Sequence, residues 1–174
     1  MKRSIVVIMW IMLLSLAMVG CDDKASKEKE PRDIKEMVER YSAGDFEDLS
    51  ASITSQELIV TNGNKNQATY ELPNDEFFVS IAPFIQNTHP CENHSLTGCQ
   101  GELKEEEFEV HIMDEDGNVI INERMTSLEN GFLDLWLKRD KTYEVKIEHN
   151  GKMVESKITT FDGDNTCITT MQLI

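Results

Sequence analysis

The chain has 174 residues, with 17 Lys+Arg against 32 Asp+Glu and a formal net charge of −15 at pH 7. So negative a surface repels phosphate backbones and anionic lipid headgroups, which excludes nucleic acid as a partner. The same field gathers cations, but it also suits a soluble surface that resists association, so charge alone does not separate a metal handler from an inert one.

Lys2 and Arg3 precede an apolar run from Ile5 to Val19, a charged region followed by a hydrophobic one too short and too N-terminal for an ordinary spanning helix. The run ends in Leu16-Ala17-Met18-Val19-Gly20-Cys21, which resembles the lipobox of bacterial lipoproteins, where a small residue precedes a cysteine that is acylated and becomes the new N-terminus. Met18 stands where leucine is commoner. Residues 1–20 are therefore expected to be a lipoprotein signal peptide and Cys21 the lipidated attachment to the bacterial cell membrane, each buried methylene adding about 0.8 kcal/mol. A plain secretory leader with an incidental Cys21 is the alternative. Removal of Lys2 and Arg3 takes the exported part to −17.

Residues 21–31 read as a tether, since Asp22 to Pro31 is charged and holds no large apolar residue. Residues 32–56 read as a short helical segment. Ile34, Met37, Val38 and Tyr41 fall at helical spacing, Pro31 suits a first turn and Gly44 a C-terminal cap. Phe46 to Ile53 is ambiguous between a continuation of that helix and another element.

From residue 57 to 174 the pattern changes to short β-branched and aromatic runs divided by turn signals. Asn62-Gly63, Asp116-Gly117 and Asn150-Gly151 separate the pairs Leu58 to Thr61 and Ala68 to Leu72, Phe108 to Met113 and Val119 to Glu123, and Tyr143 to His149 and Lys152 to Thr159. Such dipeptides supply the positive φ angles of tight hairpins. With Phe77 to Ile81, Phe132 to Leu137 and Cys167 to Leu173 the chain is expected to be mainly β, an antiparallel β-sandwich preceded by the helical segment.

Apart from Cys21, the cysteines are Cys91, Cys99 and Cys167. An odd number in an exported protein leaves one thiol to explain. One account is a structural Cys91 to Cys99 disulfide with Cys167 buried as a small hydrophobe, which would make the protein a binding module without metal. A second is a thiol redox pair, although no C-x2-C lies near a βαβ pattern. The third is a metal site. The segment Asn87 to Gly101 is a long loop after a strand, and Cys167 follows a polar turn at the start of the last strand, so the two could meet at one sandwich edge. Thiolate and imidazole ligands favour Cu(I) and Zn(II) over calcium or magnesium. The spacing Cys91-x2-His94-x4-Cys99 lacks the tandem C-x2-C of zinc ribbons, and three thiolates with a histidine suit Cu(I).

Phe77-Phe78-Val79-Ser80-Ile81-Ala82-Pro83-Phe84, then Thr88-His89-Pro90-Cys91-Glu92-Asn93-His94-Ser95-Leu96-Thr97-Gly98-Cys99-Gln100-Gly101-Glu102-Leu103, then Gly163-Asp164-Asn165-Thr166-Cys167, together resemble the CueP family of periplasmic copper-binding proteins. The resemblance implies a β-rich C-terminal domain that binds copper through cysteines matching Cys91, Cys99 and Cys167, with His94 as a ligand or a neighbour of the ligands. It further implies an N-terminal part used for homodimerisation, and a role in copper tolerance or in delivery to an exported cuproprotein. The family is soluble in the periplasm, so Cys21 is a departure. A thiol-based oxidoreductase or cupric reductase using the same cysteines is the alternative to a copper buffer that is not an enzyme.

The remaining soft or titratable groups are less telling. His89 is as consistent with a hydrogen-bonding loop residue as with a ligand. His111 alternates away from the core face and His149 sits at a hairpin end, so both are expected to be solvated. The methionines are dispersed and explained by packing, with Met171 alone placed on the strand face of Cys167. Glu105-Glu106-Glu107 reads as an edge guard. Ser95 and Thr97 have no acidic partner at a hydrolase spacing.

Overall fold

The structure is a computed structural model that describes residues 31–174; the leader, the lipobox with Cys21 and most of the tether lie outside the described residues. The first element is helix α1, Pro31–Ala43. Ile34, Val38 and Tyr41 lie on one side of it and are buried. A helix this short is marginal in isolation, so its packing decides its stability. Its apolar face rests on Ala51, Ile53, Leu58 and Leu96 of the same chain.

Ala51, Ile53 and Leu58 belong to, and Leu96 directly follows, a four-stranded sheet built from β1 (Leu49–Ile53), β2 (Glu57–Asn62), β3 (Gln67–Glu71) and β5 (His94–Ser95), in the order β3-β2-β1-β5. Leu49–Ile53, within the segment read as helical, is thus a strand. Its alternating burial, with Ala51 and Ile53 inward, has the period of two that strands require.

A second sheet of three strands, in the order β11-β4-β8, is formed by β4 (Glu76–Ile81), β8 (Leu133–Lys138) and β11 (Cys167–Ile168). The third, β10-β9-β6-β7, is built from β6 (Glu107–Asp114), β7 (Val119–Thr126), β9 (Thr142–His149) and β10 (Lys152–Thr159). The middle sheet is covered on both faces. Phe77, Val79 and Ile81 of β4 and Leu133, Leu135 and Leu137 of β8 join Phe108, Val110, Tyr143 and Ile147 of the third sheet in the larger core. The alternate residues Phe78 and Trp136 pack toward the helix and the first sheet. This explains why Phe77 to Ile81, apart from Ser80, reads as an apolar run rather than an alternating one. Fully burying each of these large side chains contributes about 1.5–3 kcal/mol.

The last strand departs from the expected antiparallel pattern and from its expected length. β11 pairs parallel with β4, Cys167 opposite Ser80 and Ile168 opposite Ile81, and only a bridge between Phe84 and Gln172 continues it. The break in the ladder turns Met171 into the larger core, while Cys167 packs on the other face with Ala82 and Phe132. Met171 and Cys167 therefore lie in different clusters, although their spacing predicts one strand face.

Two turns form as their residues imply, with Gly117 at φ 80° and the pair Asn150 and Gly151 at φ 50° and 78°. The turn after Asn62 does not. Its positive φ falls on Lys65, and the Asn62 side chain closes a longer loop by accepting the amides of Asn64 and Asn66 at 3.1 and 3.0 Å. His149 is buried, contrary to expectation. It follows Tyr143, Val145 and Ile147 on the core face of β9, and its ring lies 4.9 Å from that of Phe108. Burial is tolerated because Nδ1 meets the Glu107 carbonyl at 2.8 Å and Nε2 the Asn150 amide at 2.9 Å. His111 is partly exposed and meets Asn122 at 3.2 Å.

Candidate metal site

The middle sheet carries a row of polar and sulfur-bearing side chains on the face opposite the larger core. Ser80 on β4 stands in register with Cys167 on β11 at one side and Asp134 on β8 at the other. Over this row lies the loop Thr88 to Gly101, which enters after β4 and contributes the two-residue strand β5.

That loop is fastened at several points. His94 and Ser95 pair with Ile53 and Ser52 of β1. The His94 amide donates to Thr166 Oγ1 at 2.9 Å, and the same hydroxyl donates to the Ile53 carbonyl at 2.6 Å. The Cys167 amide donates to the Glu92 carbonyl at 3.0 Å. The Cys99 amide closes a tight turn onto the Ser95 carbonyl at 2.9 Å. Beyond it Gly101 passes against Gly131, which has φ +82°; a side chain on Gly101 would put its Cβ 2.5 Å from the Gly131 carbonyl oxygen, so the close approach requires glycine. The base of the loop is held by Glu102, whose carboxylate accepts the amides of Ile85 and Gln86 at 2.6 and 2.9 Å.

These ties bring together residues far apart in sequence. Cys91 Sγ and Cys99 Sγ are 3.5 Å apart, and all three cysteines are free thiols. Two sets of side chains offer ligand atoms within 4.8 Å of one another, His89 with Cys91 and Cys99, and His94 with Cys99 and Cys167. Cys99 belongs to both. Metal–sulfur bonds of about 2.3 Å place two sulfurs on one ion no more than about 4.6 Å apart, a limit that Cys91 and Cys99 meet at 3.5 Å. Cys167 and His94 are buried, whereas His89, Cys91 and Cys99 reach the surface in part. The inner wall is aromatic, with the Phe132 ring 4.5 Å and the Phe78 ring 6.3 Å from the imidazole of His94.

The electrostatics of the cluster are uneven. Hydrogen bonding from the Cys167 thiol, opposed by burial and reinforced by His89, holds Cys99 down to about 2, so Cys99 is the thiolate of the group. The Cys167 thiol is pushed up, first by that hydrogen bond to Cys99 and then by burial. Burial raises Cys91 as well. One anionic sulfur flanked by two protonated ones is an arrangement that a cation can take over by displacing protons.

A fit test comes from His94. Its Nδ1 is buried and has no hydrogen-bond partner among the described residues. An orphaned buried nitrogen is costly, and a metal would satisfy it. Thiolates and imidazole are the donor set of soft and borderline ions, so these residues fit copper. Glu105, Glu106 and Glu107 are exposed and belong to neither ligand group, and Thr97 is occupied in accepting the Ala51 amide at 3.1 Å.

Ser80, Asp134, Thr166 and Glu102 were not singled out from the sequence as functional. A signal was present for two of them. Ser80 interrupts the apolar run Phe77 to Ala82, and Asp134 interrupts Phe132 to Leu137; a polar residue in a strand buried on both faces must meet a partner.

The family model described as periplasmic copper-binding protein CueP matches residues 33–172. The crystal structure of S.CueP is similar at 37% sequence identity and a TM-score of 0.75, covering 86% of this chain and 91% of that chain. A comparison with curated proteins gave no match.

Proposed function

The chain belongs to the CueP family of periplasmic copper-binding proteins, and we propose that it is an extracytoplasmic copper buffer or carrier. In this reading Cys91, Cys99 and Cys167 hold Cu(I) and His94 completes the site. The observation that carries it is the sharing of Cys99 between the His89–Cys91 and the His94–Cys167 groups within 4.8 Å. Near-stoichiometric Cu(I) uptake by the reduced protein, lost in Cys99→Ser, is the expected result; uptake unchanged by that substitution would reject the site. The partial exposure of Cys91 and His89 supports exchange of copper with an exported cuproprotein by ligand substitution.

The lipobox-like residues up to Cys21 support attachment to the bacterial cell membrane by lipid. No helix among the described residues is long and apolar enough to cross a membrane. Partition of the native protein into a detergent phase, abolished by Cys21→Ala, tests the anchor. Homodimerisation through Pro31 to Ile53 rests on the family resemblance and is tested by sedimentation of the purified chain.

The 3.5 Å contact of Cys91 Sγ with Cys99 Sγ favours a second reading, cupric reduction. Two Cu(II) ions would accept one electron each from the two sulfurs, an S–S bond would form, and the Cys91 proton would pass to solvent. An exported dithiol must then return the pair to thiols before copper binds there again. Cu(I) formation that continues over many turnovers only when a dithiol is supplied would promote this reading over the buffer.

A further inference from the structure

The hydrogen bonds behind His94 determine which of its nitrogens is free. Ser80 Oγ donates to Asp134 Oδ1 at 2.5 Å, and a carboxylate can only accept. A hydroxyl has a single proton, so once it is given to Asp134 the Ser80 oxygen can only accept from its other neighbour. That neighbour is His94 Nε2, at 3.4 Å. The second oxygen of the same carboxylate, Oδ2, accepts from Ser42 Oγ of α1, also at 2.5 Å, so Asp134 is held between the helix and the middle sheet. Ser80 and His94 are both fully buried.

We propose that Asp134 and Ser80 are positioning residues for the copper ligand: Asp134 takes the Ser80 proton, Ser80 takes the His94 Nε2–H, and Nδ1 is left as the nitrogen that donates to copper. The inference rests on the copper reading for its last step only. The orphaned state of Nδ1 follows from it, because an unprotonated nitrogen with no donor in hydrogen-bond reach is idle until a cation arrives. A histidine ligand whose other nitrogen is tied to an acceptor is a general feature of metal sites, and loss of such support typically lowers metal affinity about 10–100-fold.

The direction of the chain of hydrogen bonds gives a prediction that a merely structural role does not. In Asp134→Leu the Ser80 hydroxyl loses its acceptor and turns to donate to Nε2, which drives the ring proton onto Nδ1 and blocks it. Removing the misdirected donor in the double variant Ser80→Ala/Asp134→Leu should return the proton to Nε2. The test is long-range proton–nitrogen NMR of His94 in reduced, metal-free, 15N-labelled protein, with Cu(I) affinity measured by competition against a chromophoric chelator. Expected are an Nε2–H ring in the unsubstituted protein, an Nδ1–H ring with copper affinity lowered about 10–100-fold in Asp134→Leu, and recovery of both in the double variant. Ser80→Ala alone, which keeps the carboxylate and the fold around it, should bind copper more tightly than Asp134→Leu. An Nδ1–H ring in the unsubstituted protein, an unchanged ring in Asp134→Leu, or a double variant weaker than Asp134→Leu would overturn the proposal. The ring proton is read with no copper present, so an Nε2–H ring in a protein that takes up no Cu(I) would sink the copper reading and leave this chain of hydrogen bonds standing.

Discussion

Thr166 and His94 share one hydrogen bond that joins the two halves of the cysteine cluster: the His94 amide donates to Thr166 Oγ1 at 2.9 Å, and that hydroxyl donates onward to the Ile53 carbonyl at 2.6 Å. Thr166 is the residue before Cys167, so the loop that holds two thiols and the strand that holds the third are fixed to the same atom. In Thr166→Val the shape is retained while a buried amide and a buried carbonyl lose their partner. A cost of about 1–3 kcal/mol is expected from leaving such groups unsatisfied, read as a lower urea midpoint with an unchanged slope. Copper affinity should fall with it, because the spacing between Cys167 and the loop is no longer enforced.

Cys99 should behave as a thiolate well below neutral pH. Donation from Cys167 leads the causes, His89 adds to it, and together they outweigh burial to hold Cys99 down to about 2. Alkylation of Cys99 in reduced, metal-free protein should therefore proceed at similar rates at pH 5.5 and 7.5. A thiol with the ordinary value near 8.5 slows about 100-fold over the same interval. Peptide mapping of the alkylated cysteine decides which behaviour holds.

The base of the cysteine loop should loosen in acid. Burial would raise the Glu102 carboxyl, but the amides of Gln86, Ile85 and Asn87 outweigh it and hold it below the usual carboxylate range. A folded value below the unfolded one, which is about 4.3, means that the contribution is complete above that pH and is lost as pH falls through the folded value. Amide exchange protection at Ile85 and Gln86 should fall on acidification below about pH 4 in the natural protein. In Glu102→Gln protection should be weaker at neutral pH and flat across that range.

Phe132 gives the site its inner wall, fully buried and with its ring 4.5 Å from the His94 ring. Phe132→Ala should cost about 3–5 kcal/mol by loss of packing and formation of a cavity. Saturating Cu(I) should restore part of that, since a ligand bound only by the folded state adds stability in proportion to its affinity. Urea unfolding with and without copper measures both quantities.

Much of the fold was legible because its cause is local. Alternation in Phe108, Val110 and Ile112 and in Tyr143, Val145 and Ile147 gave strands with one buried face, and the turn at Asn150-Gly151 needed the positive φ angles it has. What was illegible is set by tertiary packing. Leu49–Ile53 is a strand because β2 and β5 pair on its two sides, and no property of the segment alone announces those partners. His149 was placed outside because it neighbours a turn, although its own alternation puts it on the core face. At the site, the cysteines and His94 stand out by residue type, and the odd thiol count forces a question about Cys167. Ser80 and Asp134 do not stand out by type, and their relationship arises from the register of β4 with β8, a pairing of residues 54 positions apart.

The central claim is that one copper ion touches sulfur from the loop and from the last strand together. Copper K-edge X-ray absorption of anaerobically loaded protein, compared with Cys167→Ser, tests it most directly. The account predicts a sulfur-dominated shell with imidazole scattering in the natural chain and one fewer sulfur neighbour in the variant. A sulfur count that is the same in both, with Cu(I) still bound in equal amount, would contradict it.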